Sequence, residues 1–413
     1  MCHQARDSRV ASIVGDSPTK GPTHEGRPGL VDVTAIMLWS VVCLLLAVVN
    51  VVSTQTQCPS VLCKCPGSGD IDCSNRKLTD IPVFNGDTAT YGLLDLSDNS
   101  IESVPSHAFV GVTPTAISLD NNPLIGVSPR AFDGVEDTLE HLTVSNTRMY
   151  VLHWGVFRNL RHLQILDLKN NGIFALPRGL FDGLASVEDI SLASNKLSTL
   201  RRDIFRHVSQ LRKLDVSFNE VARIESGTFG NLRRMTWLDL GSNRLTSIDA
   251  ESFRGMDHLD TLLLENNLIS AIPKGFFLLL PSVKHLELAR NNVSVVRTRA
   301  FTGASAMQFI GLRENAIEHV SRSAFAGLGD LRVLLLDGNR LRSLGKTCAM
   351  RGLHKLKTLS LEDNPLDCGC KFAWVQNLAG AGTRVTGHCA APEAEHGVAL
   401  VAVNFTGCSD ARC

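Results

Sequence analysis

The sequence predicts an α/β-type solenoid, a curved horseshoe with a parallel β-sheet on its concave face. Short turns or 3-10 segments are expected on the convex face, with a disulfide cap at each end. Three observations carry this expectation. A nine-residue pattern returns every 24 residues from Asn171 to Asn339, and a phenylalanine keeps step with it. The cysteines crowd the two ends, four within Cys58–Cys73 and four within Cys368–Cys408, with none between Cys73 and Cys348.

A chain of 413 residues is longer than one hydrophobic core usually organises. Its 41 basic and 41 acidic residues balance. That balance argues against a general nucleic-acid or anionic-membrane binder, which carries a basic excess.

In chain order, residues 1–36 are polar and rich in small residues, and are expected to be disordered or an extension ahead of the true start. Residues 37–53 are a signal peptide or signal anchor, within the uncharged run Ala35–Val52. Val51 and Ser53 are the small residues ahead of a cleavage site, and Met37 is read as the start. If residues 1–36 are retained, Lys20 and Arg27 favour a cytosolic N-terminus and an uncleaved anchor. Either reading puts everything after Thr54 outside the cytosol. A buried core helix is the bland alternative, but no other helical pattern flanks the run.

The repeat occupies 83–364. "LQILDLKNN" (163–171) returns as "VEDISLASN" (187–195), "LRKLDVSFN" (211–219) and "MTWLDLGSN" (235–243), and then in four further copies to Asn339. Earlier copies end at Asn99, Asn122 and Thr147, and a last one at Asn364, giving twelve units of L-x-x-L-x-L-x-x-N. Phenylalanines from Phe109 to Phe325 sit ten residues after the Asn position, and Met350 falls one residue late. In each unit the L-x-L core reads as a short strand with alternate residues inward. One unit cannot bury its apolar face alone, so units stack on a shared core of Leu and Phe. The Asn amide donates and accepts at once, and is expected to bond backbone groups of its own and the next turn. Thr147 keeps a hydroxyl but lacks the amide.

These units resemble the extracellular leucine-rich repeat family, over residues 58–408. The look is similar to Slit-like, connectin-like and chondroadherin-like proteins. "CPSVLCKCPGSGDIDC" within 58–82 resembles the family's N-terminal cysteine cap, and "NPLDCGCKFAW" with Cys389 and Cys408, within 365–408, resembles its C-terminal cap. A solenoid has two open ends to cover, and caps this small need staples. Cys368 and Cys370 are too close to pair with each other, so each reaches a distant partner. The resemblance implies the pairs Cys58–Cys65, Cys63–Cys73, Cys368–Cys389 and Cys370–Cys408. Zinc is the rival for four cysteines, but the leader points to an oxidising space and no C-x-x-C spacing occurs. Cys348 and Cys413, the latter ending the tail 409–413, either bridge each other or link to a partner chain.

Catalytic, cofactor and metal residues are not expected, and the chain is not read as an enzyme. "LGKT" (344–347) lacks the glycine spacing of a phosphate-binding loop. Neither H-E-x-x-H nor G-x-S-x-G occurs. Asn292 and Asn404 begin glycosylation sequons.

Residues flanking the central strand leucine project from the concave sheet in columns. One runs His141, Ile165, Asp189, Lys213, Trp237, Thr261, His285, Phe309, Val333. The other includes Asp167, Ser191, Asp215, Asp239, Leu263, Glu287, Gly311 and Leu335. Two patches follow: an acidic one (Asp167, Asp189, Asp215, Asp239) and an apolar one (Trp237, Leu263, Phe309, Val333, Leu335, with His285 inside). Exposed patches with aromatic members mark protein-binding sites.

The resemblance implies an extracellular or cell-surface protein partner, in cell adhesion, guidance or ligand capture. From the balanced charge and the missing catalytic motifs, no nucleic acid, small-molecule substrate or cofactor is expected, and contact with a membrane only through the possible N-terminal anchor. Only five residues follow Cys408, without a span or lipid-anchor tail, which favours a secreted protein. The alternative is a structural component of the extracellular matrix, assembled through the convex face or Cys413.

Overall fold

A computed structural model describes residues 58–67, 69–86, 90–344, 350, 352–406 and 408. The leader, the "GKT" segment, Cys348 and Cys413 lie outside the described residues. The chain divides before Cys58, and all described residues belong to the unit that begins there.

The unit is a solenoid whose backbone is one parallel sheet of 14 strands. Each repeat contributes one strand, from Thr90–Asp95 to Thr358–Ser360. Ile71–Asp72 of the N-terminal cap and Arg384–Thr386 of the C-terminal cap close the two edges. Most repeat strands are three residues long, and neighbours pair in strict register, as in Lys213↔Trp237, Leu214↔Leu238 and Asp215↔Asp239. That register follows from the 24-residue period, which returns the chain to the same place each turn. The opposite face carries short two-residue strands such as Thr199–Leu200 and the 3-10 turns Ala250–Phe253 and Phe276–Leu279. The α-helix Trp374–Gly380 belongs to the C-terminal cap.

The core lies between sheet and outer turns. Central strand residues such as Leu166, Ile190, Leu214 and Leu238 have no exposed surface. Behind them the phenylalanines form a spine, with ring centroids 5.8 Å apart for Phe181–Phe205, 6.1 Å for Phe205–Phe229 and 5.4 Å for Phe229–Phe253. Met350 is buried at the late position.

The asparagines stitch turn to turn, in one respect differently from expectation. Asn195 Nδ2 donates to its own Leu192 carbonyl (2.9 Å) and to Leu168 of the preceding turn (2.9 Å). Its Oδ1 accepts from Ile173 N–H at 2.9 Å. The ladder therefore reaches back to the preceding turn, not forward, because the Asn side chain points toward the strand already laid down. At the weak rung, Thr147 donates through N–H (2.9 Å) and Oγ1 (2.6 Å) to Asn171 Oδ1.

Both ends are stapled. The pairs are Cys58–Cys65, Cys63–Cys73, Cys368–Cys389 and Cys370–Cys408, with Cα–Cα distances of 5.5, 4.4, 5.6 and 5.3 Å. They are the pairs the resemblance implies.

Candidate functional site

The sheet face presents the two columns side by side, and the acidic and apolar patches interleave on it. Trp237 and Asp239 share a strand, Leu263 lies on the next, and His285 and Glu287 on the one after. The site is therefore one mixed strip rather than two patches. Trp237, Leu263, His285, Phe309 and Val333 are all half-buried. His285 stacks on Phe309 with ring centroids 4.1 Å apart and planes 4° from parallel. Burial holds the His285 imidazole below its usual range, opposed by Asp260 and Glu265. Leu335 departs from its column: it is only 7% exposed, so it offers little to a partner. The pleat aims it outward, yet it is buried.

The four expected acids divide in two. Asp167 pairs with Lys169 at 3.1 Å, and Asp189 with Lys213 at 3.3 Å. Burial nevertheless raises Asp189, because desolvation outweighs the attraction of Lys213. Lys213 Nζ also stands 5.2 Å over the Trp237 ring. Asp215 accepts from Ser217 N–H (2.9 Å) and Oγ (2.6 Å). Asp239 accepts from Gly241 N–H at 2.7 Å. Burial pushes its carboxyl up to about 7, against that hydrogen bond and with added repulsion from Asp215 and Glu265.

Three features of the strip were not singled out from sequence. Glu265 is half-buried, its Oε2 lacks a hydrogen-bond partner among the described residues, and burial raises its pKa. Glu287 is raised by burial as well, although Ala289 and Leu288 N–H groups bond it. Phe218 is 64% exposed with φ 53°, a left-handed backbone that bulky residues rarely adopt. The row of Phe218 is otherwise filled by polar or charged residues, Ser194, Ser242, Asn266, Arg290 and Glu314 among them, all with the same left-handed backbone. That contrast was the available signal.

Asn292 is exposed, its N–H donating to Ile269 O at 2.9 Å. Asn404 is exposed too, and its Oδ1 accepts from Thr406 N–H at 3.0 Å. Among the described residues, no group of three or more His, Cys, Asp or Glu is placed to hold a metal ion. No helix among them is long and apolar enough to cross a membrane.

Comparison with known proteins places the chain. The family model described as "Leucine rich repeat" matches overlapping stretches that run unbroken from residue 115 to residue 366, more than half of the chain. The chain belongs to the leucine-rich repeat family. Transforming growth factor beta activator LRRC33 of Danio rerio is 36% identical over 87 residues, 21% of this chain and 12% of that protein. Human leucine-rich repeat-containing protein 3B is 31% identical over 110 residues, 26% of this chain and 42% of that protein. The chain thus spans less than half the length of these curated relatives. Among solved structures, FLRT2 in an octameric complex with Latrophilin 3 and Unc5D superposes with TM-score 0.65 at 24% identity, covering 85% of this chain and 100% of that one. Toll in its complex with Spatzle superposes with TM-score 0.66 at 19% identity, covering 81% and 54%. TLR13 bound to a single-stranded RNA does so with TM-score 0.54 at 20% identity, covering 72% and 49%. At these identities the likeness is one of fold.

Proposed function

We propose that this chain is an extracellular interaction module that binds a protein ligand on its concave sheet face, in cell adhesion, guidance or ligand capture. One observation carries the reading. Trp237, Leu263, His285, Phe309 and Val333 stand partly exposed on consecutive strands in strict register. A fixed sheet holding aromatic side chains at its surface has the composition of an interface centre. Protein complexes of FLRT2 and Toll, which share the fold, support it. So do the four disulfides, which persist in oxidising compartments.

The test is a binding screen of the secreted full chain against a panel of cell-surface and secreted ectodomains. Any ectodomain that binds is then measured against Trp237→Ala and Phe309→Ala. The reading expects affinity to drop about tenfold or more while the thermal unfolding midpoint stays close to that of the parent. A binder indifferent to both substitutions places the interface elsewhere.

A further inference from the structure

The side of the solenoid that follows the ladder asparagines carries a second surface. The third residue after the ladder position returns once per unit, so these residues form a row down the stack. In most units it is polar or small, as at Glu102, Ser198, Ala222, Thr246, Ser270 and Ser294. In three consecutive units it is Ile125, Tyr150 and Phe174. Val151 and Trp154 extend the middle of the row toward the outer turns. All five side chains are 49–62% exposed. A single exposed apolar residue is ordinary, whereas a contiguous group of this size marks a contact surface. The Tyr150 ring lies along the row because Gly172 of the next unit has no side chain: the ring is 3.0 Å from where a β-carbon there would stand.

The row complements itself. Tyr150 is its centre, with one apolar unit on either side. One unit further out stand Glu102 on one flank and Lys196, beside Ser198, on the other. Both charges are exposed, and neither has an ion pair among the described residues. A two-fold axis through Tyr150, normal to this face, reverses the order of the units. It sets Ile125 against Phe174 of a second copy, Tyr150 against Tyr150, and Glu102 against Lys196. It also carries the exposed Arg148 toward the Trp154 side of the second copy, where a guanidinium can stack. Self-complementarity of one surface is what a two-fold homodimer requires. Five half-exposed side chains of these types offer on the order of 500 Å² per copy. The polar residues around them bring that toward the roughly 800 Å² per partner of a standard interface.

We propose that this face, centred on Tyr150, joins two copies of the chain in a two-fold dimer. The row lies outside the strands of the large sheet, so the dimer leaves both concave faces open to ligand and does not depend on what they bind. Neither sequon falls within these units, so glycans at Asn292 and Asn404 do not cover the row.

Sedimentation velocity of the secreted full chain over a range of concentrations is the test, and a reversible dimer is expected. Tyr150→Asp with Phe174→Ser, both at exposed positions, is expected to sediment as a monomer. Glu102→Lys and Lys196→Glu each raise the dimer dissociation constant about tenfold, because symmetry makes every change twice, and the two together restore it. Circular dichroism checks that each variant folds. Cross-linking locates the axis. In a Cys413→Ser background, Tyr150→Cys meets its own copy and gives a covalent dimer on a non-reducing gel. Ile125→Cys does not, because its two copies stand two units apart, about 10 Å at the strand spacing and beyond disulfide reach. A chain that stays monomeric at about 100 µM overturns the proposal, including the case in which the Tyr150 face is needed to bind a different ectodomain. A dimer unmoved by Tyr150→Asp with Phe174→Ser overturns it as well. So does a dimer lost only on Cys413→Ser, which is a disulfide-linked pair.

Discussion

Glu265 folds across Gly241, its Oε1 2.6 Å from the position a β-carbon on that glycine would occupy. The obstacle is the far end of a flexible side chain, and Gly241 is not among the residues with positive φ. Gly241→Ala is therefore expected to cost less than about 1 kcal/mol in stability. Gly303→Ala is the contrast. It sits at φ 103°, and its β-carbon would meet backbone atoms of Phe277 and Leu278 at 2.7–2.8 Å. A loss of about 2 kcal/mol or more is expected there, read by denaturant unfolding of both variants.

Asp239 gives the stability a pH signature. Its folded pKa of about 7 lies above the ordinary aspartate value of about 3.9, so the folded state holds the proton more tightly than the unfolded chain. Its contribution is fully present at low pH, declines as pH rises through the window between these values, and is gone above 7. Asp239→Asn removes the ionisation and keeps an acceptor for Gly241 N–H. After discounting for the solvent that still reaches the group, the variant should be more stable than the parent by about 1 kcal/mol at pH 8, with little difference near pH 4. Thermal unfolding across that range checks the sign.

The ladder should be expensive to break. Asn195→Ala leaves the carbonyls of Leu168 and Leu192 and the N–H of Ile173 without their side-chain partner. A loss of about 2–4 kcal/mol follows from exposing buried backbone groups to no partner. Hydrogen exchange should show the damage concentrated in the two turns that Asn195 joins.

The spine makes a similar demand. Phe229 is fully buried between Phe205 and Phe253. Phe229→Ala should cost about 3–5 kcal/mol, the usual range for a buried phenylalanine replaced by alanine. Val333, half-buried on the sheet face, should cost less than about 1 kcal/mol when changed to alanine. Denaturant midpoints of the two variants separate core from surface.

Which parts were legible in the sequence follows from periodicity. Leu166, Asn195 and Phe229 are legible because each recurs at the same place in the period, and a buried position tolerates few residue types. The pairing of Lys213 with Asp189 follows from the same spacing, since residues 24 apart become neighbours. Glu265 was missed because it falls outside the L-x-L core, where the pattern says nothing about burial. Its confinement comes from Gly241 in the preceding unit, a relation between two variable positions. Phe218 was missed because the repeat pattern leaves its row unspecified, and an exposed aromatic there stands among residues that are otherwise polar or charged. Leu335 misled because alternation fixes the direction of a side chain but not what covers it.

The central claim is that the sheet face is the binding surface, and a glycan placed on it tests that most directly. Thr261→Asn with Leu263→Thr builds a sequon on the strand in the middle of the strip. Asn231 with Arg233→Thr builds one away from the sheet, at an exposed position on the outer turns. Affinity of the secreted full chain for a bound ectodomain is then measured for both glycosylated variants. The account predicts that the sheet glycan abolishes binding and the outer glycan leaves it intact. Undiminished binding with the sheet glycan in place would contradict it.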